Sequence, residues 1–209
     1  MIRIVIADDH HIVRKGIRQI ILEEIADAHI EEVTDSALLI RKIMDEKWDL
    51  VISDLSMPGR SGLEALPQIK QIQPNLPVLI MSIHPEEHYA IRVLKAGASG
   101  YLSKDMAPEE LIVAIQKVLS GKKYLSEAVS DQLTSFHFSE NHLSKHEQLS
   151  DREFSVLQLL SNGKSITEIA DLLSLSITTV STYRSRILQK MDMKTNAELT
   201  IYCMEQKII

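Results

Sequence analysis

The chain has one cysteine in 209 residues, Cys203, so no intrachain disulfide can form. It has no apolar run approaching the roughly 20 residues that cross a bilayer as a helix. Its first apolar run ends at Ala7 against two aspartates, with no basic segment ahead of it of the kind a secretion signal needs. A cytoplasmic protein with no membrane partner is the expectation. Net positive charge is missing too: the total of −6 argues against a nucleic-acid binder until it is divided along the chain. Residues 1–126 and 127–148 each carry −3, whereas residues 149–209 are neutral. In that last segment Arg184, Arg186, Lys190 and Lys194 face a single acid, Asp192, a local basic stretch suited to lie beside phosphates.

With 44% hydrophobic and 25% charged residues, the chain can bury one or two real cores. Short apolar runs rich in Ile, Val and Leu fall at residues 2–7, 50–53, 78–81 and 100–103, as in parallel strands covered on both faces, and residues 30–33 are read as a further strand of the same unit. Between them, residues 13–25, 38–44, 63–72, 89–96 and 111–119 repeat apolar positions at helical spacing. Alternating strand and helix predicts an α/β fold with a doubly wound, five-stranded parallel sheet. In such sheets ligands bind beyond the carboxyl ends of the strands. Asp8, Asp9, Asp54, Ser82 and Lys104 all stand there.

Three carboxylates at adjacent strand ends repel one another, and a hard divalent cation such as Mg2+ is their natural neutraliser. A carboxylate fixed beside such a cation can attack phosphorus and form an aspartyl phosphate. Lys104 then supplies a cation, and Ser82 a hydroxyl, for the phosphoryl oxygens. Singly, each of these residues reads as an ordinary strand end, cap or loop residue; their joint placement is what points to a site.

Residues 127–148 are rich in Ser, Asn, Gln and His and read as part of a linker, with one short helix over 127–133. His137, His142 and His146 have no cysteine nearby and are read as solvated rather than as a metal site. The domains are therefore placed at 1–122 and 149–209, joined by 123–148. In the second domain Ser150 with Glu153, Ser165 with Glu168, and Thr195 with Glu198 give capping boxes, predicting helices over 151–161, 166–173, 177–191 and 196–205. Only Ser174, Leu175 and Ser176 separate the second helix from the third, a connection that suits a helix-turn-helix. On a helical wheel Ile187 and Met191 fall within about 20° of Val180, leaving Ser181, Thr182, Ser185, Arg186 and Gln189 on a polar face without carboxylates.

The series Ile6-Ala7-Asp8-Asp9-His10, Asp54-Leu55-Ser56-Met57-Pro58-Gly59 with Gly62, Met81-Ser82, Gly97-Ala98 and Gly100-Tyr101-Leu102-Ser103-Lys104 resembles a receiver domain of two-component response regulators, whose fold is flavodoxin-like. The resemblance implies that Asp54 accepts a phosphoryl group from a sensor histidine kinase, and that Asp8, Asp9, Asp54 and the backbone carbonyl of Ser56 hold Mg2+. It further implies that Ser82 and Tyr101 are a switch pair and that Lys104 binds the phosphoryl group. Two positions depart from the common pattern: Asp105 follows Lys104 where many receivers have proline, and Ile83 stands where many have alanine, a larger side chain expected to narrow access to the phosphate.

Residues 149–157, 163–170 and 175–183 are similar to the LuxR/NarL/FixJ DNA-binding domain, a smaller all-α four-helix unit, with a recognition helix like that of BvgA/EvgA-like regulators. By positional match Ser181, Thr182 and Ser185 would meet base edges, with Arg184, Arg186 and Lys190 near phosphates. The resemblance implies promoter DNA as a partner, a homodimer formed on phosphorylation, and contact with RNA polymerase. It implies a regulator rather than an enzyme. A phosphatase of the haloacid dehalogenase type would need an acid where Ser56 stands. A phosphorylation-independent DNA binder with a vestigial receiver is the other alternative.

Overall fold

The computed structural model describes residues 1–57, 60–126, 129–130, 144–206 and 208–209. The chain divides into two compact units, Met1–Phe138 and Ser139–Ile209. The short helix expected over 127–133, His137, His142, Pro58 and Gly59 lie wholly or mostly outside the described residues. No helix among the described residues is long and apolar enough to cross a membrane.

In the first unit β1 (Arg3–Ala7), β2 (His29–Val33), β3 (Leu50–Asp54), β4 (Val78–Ser82) and β5 (Gly100–Ser103) form a parallel sheet in the order β2-β1-β3-β4-β5. Five helices alternate with them: α1 (His11–Glu24), α2 (Ser36–Asp45), α3 (Gly62–Ile72), α4 (Glu86–Lys95) and α5 (Pro108–Leu119). Residues of alternating parity are sealed on both faces of the sheet. Ile4, Ile6, Leu50, Ile52, Leu79 and Leu102 pack with Ile17 and Ile21 of α1 and with Leu111, Ile115 and Val118 of α5. Val5, Val51, Val78 and Ile80, pointing the other way, are fully buried as well.

The strand order reverses between β2 and β3 on either side of β1, so the carboxyl ends of β1 and β3 open onto a shared crevice. The start of α3 is fixed against that crevice. Gly62 N donates to Leu55 O, and a Cβ on Gly62 would lie 2.1 Å from the Asp54 carbonyl oxygen, so only glycine lets the helix come this close. Ser61 and Glu64 close a capping box there, an S-x-x-E pattern that the sequence reading applied only to the second domain. Helix α4 begins one turn earlier than its apolar spacing indicated, because its first residues are polar and follow Pro85.

In the second unit a single 3-10 turn (Lys145–Gln148) precedes α6 (Asp151–Ser161), α7 (Ile166–Leu172), α8 (Ile177–Met191) and α9 (Asn196–Glu205). This turn lies inside the expected linker, where His146 Nδ1 lies 2.9 Å from Tyr202 Oη and its ring packs against Phe154. The core is Phe154, Leu157, Leu160, Ile169, Val180, Ile187, Met191, Leu199 and Cys203. The capping boxes at Ser150 and Ser165 form in full. At Thr195 only half forms: Thr195 Oγ1 accepts from Glu198 N, while the Glu198 carboxylate accepts from Lys194 N. The link between α7 and α8 turns through Ser174, which has a left-handed φ of 53°.

Candidate functional site

The strand ends bring Asp8, Asp9, Asp54 and Lys104 together, with Ser82 beside them through the hydrogen bond from Lys104 N to Ser82 O. Asp8 follows β1, Asp54 ends β3, Ser82 ends β4, and Lys104 follows β5. Asp8, Asp54 and Ser82 are at most 4% exposed. Lys104 Nζ reaches Asp8 Oδ2 at 2.7 Å and Asp54 Oδ2 at 2.8 Å, so one cation ties three strand ends together. Ser56 N donates to Asp54 Oδ1 and His10 N to Asp8 Oδ1. Burial, with the Asp8 charge beside it, lifts the Asp54 pKa above the ordinary carboxylate value, against the pull of Lys104 and the Ser56 amide. Burial works against the Lys104 charge, but its hydrogen bonds to Asp54 and Asp8 prevail and raise its pKa.

Asp8, Asp9, His10 and Asp54 each bring one possible ligand atom within 4.8 Å of the others. Asp9 Oδ1 lies 2.8 Å from His10 Nδ1 yet accepts no hydrogen bond. A set of carboxylate oxygens with one left unsatisfied fits a hard divalent cation.

Ser82 Oγ accepts from His84 N at 3.0 Å, and the buried Tyr101 donates its hydroxyl to His84 O at 2.7 Å. Burial raises the Tyr101 pKa, so the phenol stays protonated and remains a donor. His84 Nε2 lies 3.3 Å from Ser56 Oγ, and the ring stacks on Tyr89 of α4. Burial, and then the Lys104 charge, lower the His84 pKa. His84 therefore joins the loop after β3, the end of β4, β5 and α4. Ile83 beside it is 71% exposed.

Sequence reasoning missed His10, Arg14 and His84. Arg14 is buried, donating to Asp8 O at 2.5 Å and lying 3.4 Å from Glu32. The adjacency of His10 to Asp9 was visible in the sequence. The other two reach the site through tertiary contacts that no local pattern reports.

On α8, Val180, Ile187 and Met191 are buried, while Thr182, Ser185, Arg186 and Gln189 are exposed and Ser181 is partly so. Thr182 Oγ1 donates to Thr178 O and Ser185 Oγ to Ser181 O, leaving lone pairs outward. Two of the expected phosphate ligands are engaged within the unit. Arg184 Nε donates to Asn196 Oδ1 at 2.7 Å, and Lys190 Nζ lies 2.6 Å from the buried Glu153 carboxylate. Among the described residues Arg186 makes no ion pair.

A pocket of acids and a lysine at strand ends, followed by a helix-turn-helix unit, defines a two-domain signalling class. The family comparisons agree: residues 4–116 match the response regulator receiver domain, and residues 147–203 match the bacterial regulatory proteins of the luxR family. The chain belongs to the response regulators with a LuxR-type C-terminal domain. It is 34% identical over 202 residues to the response regulator UvrY of Escherichia coli, covering 96% of this chain and 92% of that one. It is 33% identical over 215 residues to the response regulator GacA of Pseudomonas aeruginosa, covering 100% and 98%. The structure of RcsB from Salmonella enterica serovar Typhimurium, bound to a promoter in the presence of phosphomimetic beryllofluoride, aligns with a TM-score of 0.59 at 31% identity, covering 96% and 97%.

Proposed function

We propose that Asp54 takes a phosphoryl group from a phosphohistidine of a sensor kinase, and that this modification controls promoter binding by the second unit and thereby transcription. The observation that carries the reading is the Lys104 bridge between Asp8 and Asp54 in a buried pocket at the strand ends. An Asp54 carboxylate oxygen attacks phosphorus, the P–N bond breaks, and the departing imidazole takes a proton. Asp8, Asp9, Asp54 and the Ser56 carbonyl would hold Mg2+, which when bound neutralises charge on the transferred group. Lys104 can leave the carboxylates and pair with a phosphoryl oxygen, and Ser82 Oγ can donate to another. The protein is a phosphoryl acceptor and DNA-binding regulator rather than an enzyme acting on a separate substrate.

Phosphorylation replaces the single charge of the Asp54 carboxylate with a phosphoryl group carrying about −1.5 to −2. With Ser82 and Tyr101 both bonded to the His84 backbone, that charge acts directly on the loop leading into α4. A homodimer formed on phosphorylation would match inverted half-sites about one DNA turn apart. In the α8 face, Ser181, Thr182 and Ser185 read bases, and Arg186 sits by phosphate. Arg184 and Lys190 chiefly hold α8 in place, through Asn196 and Glu153. RNA polymerase is a further partner and the cytoplasm the compartment, as for a regulator of promoters. The test is phosphate incorporation from a small phosphodonor with Mg2+, which wild type shows and Asp54→Asn does not.

A further inference from the structure

The chain leaving α5 is fastened back onto the receiver unit. Tyr124 N donates to Ser99 O at 2.8 Å, and Tyr124 pairs with Gly100 in an isolated parallel bridge on the free edge of β5. The approach requires glycine at position 100, where a Cβ would stand 2.8 Å from Leu79 Cδ2 and 2.9 Å from Tyr124. Tyr124 is nearly buried, and its hydroxyl donates to Glu110 of α5 at 2.6 Å. Two residues on, Ser126 Oγ donates at 2.8 Å to Glu86 Oε1 of the first residue of α4. Ser126 Oγ also accepts from Val129 N, its carbonyl accepts from Ser130 N, and Val129 is buried. The segment thus crosses β5 from α5 to the start of α4.

Glu86 lies only four positions beyond Ser82, and the residues between include His84, which takes the Tyr101 hydroxyl and donates to Ser82. A turn of the Ser82 hydroxyl toward a phosphoryl oxygen gives up the hydrogen bond from His84 N and so releases the short connection that ends at Glu86. One charge-assisted hydrogen bond holds Ser126 there, and its geometry tolerates little displacement of the acceptor.

We propose that residues 124–126 form a strap whose latch, Ser126 to Glu86, is closed while Asp54 is unmodified and opens when Asp54 carries a phosphoryl group. Opening frees the start of the chain that leads to the second unit, so the strap is the route by which the pocket is read out. The proposal rests on the phosphorylation of Asp54 given above.

Hydrogen exchange of the full chain, with and without beryllofluoride and Mg2+, tests it. In wild type the amides of 124–126 are expected to exchange at least fivefold faster with beryllofluoride, and Asp54→Asn should show no change. Glu86→Ala should exchange fast in both conditions while incorporating phosphate at the wild-type rate, and Glu86→Gln, which keeps an acceptor, should restore protection. Ser126→Ala provides a second way of opening the latch. Unchanged or slower exchange of 124–126 in wild type that does incorporate phosphate overturns the strap alone. Failure to incorporate phosphate overturns the phosphorylation reading and the strap's control with it.

Discussion

Lys104 Nζ lies 2.8 Å from Asp54 Oδ2, so the side chain expected to receive a phosphoryl group is already held by the cation expected to stabilise it. The same ammonium also reaches Asp8, and it therefore competes with any divalent cation for these carboxylates.

Lys104→Met removes that competitor and leaves two buried acids unpaired. Mg2+ affinity should rise about tenfold, equivalent to about 1.4 kcal/mol, and stability without Mg2+ should fall. Calorimetric titration checks the first and thermal unfolding the second. Equal or weaker Mg2+ binding by the variant would mean that Lys104 does not shield the acids.

Tyr101→Phe deletes the hydroxyl that holds His84 O. It should cost about 1 kcal/mol of stability. Phosphate incorporation should persist, but the gain in DNA affinity on phosphorylation should shrink. A variant with the full gain would remove Tyr101 from the switch.

In the second unit, the Glu153 pKa lies below its ordinary 4.5: burial opposes this, but hydrogen bonds from Lys190 and Ser150 outweigh it. A carboxyl depressed on folding contributes stability above its unfolded value that is lost as pH falls through the folded value. Stability should therefore drop below about pH 4.5, and Glu153→Gln should flatten that part of the profile. Lys190→Met, which leaves the buried carboxylate without its cation, should destabilise the unit by about 1–3 kcal/mol at neutral pH. Urea unfolding followed by circular dichroism against pH measures both.

The two arginines of α8 separate by their partners. Arg186→Ala should reduce the slope of log affinity against log salt by about 0.9, the loss of one phosphate contact. Arg184→Ala should chiefly lower the melting temperature, because Arg184 bonds Asn196 of α9. Binding titrations across a salt series, using DNA selected from a random library, show whether the two variants divide this way.

The strands were legible because buried parallel strands are short and apolar: Ile, Val and Leu dominate β1, β3 and β4, while β2 and β5 were placed by their spacing between helices. Helix α8 was legible to its ends, since Val180, Ile187 and Met191 share one face and Ser176 caps its start. The start of α4 was not, because Glu86 carries no apolar signal and its partner, Ser126, is 40 residues away. The acids, Ser82 and Lys104 could be placed together because the α/β pattern brings strand ends to one edge. Arg14 and His84 could not, since their roles rest on backbone carbonyls and ring contacts that exist only after folding. Lys190 was matched by position to phosphate, and no local pattern shows that this exposed side chain also pairs with Glu153, a buried acid 37 residues earlier.

The central claim, that Asp54 controls DNA binding, is tested most directly by the affinity of the full chain for library-selected DNA, with and without beryllofluoride and Mg2+. The account predicts that wild type dimerises and gains affinity with beryllofluoride while Asp54→Asn does neither. Equal binding by both proteins, unchanged by beryllofluoride, would contradict it and leave a DNA-binding protein whose receiver does not gate it.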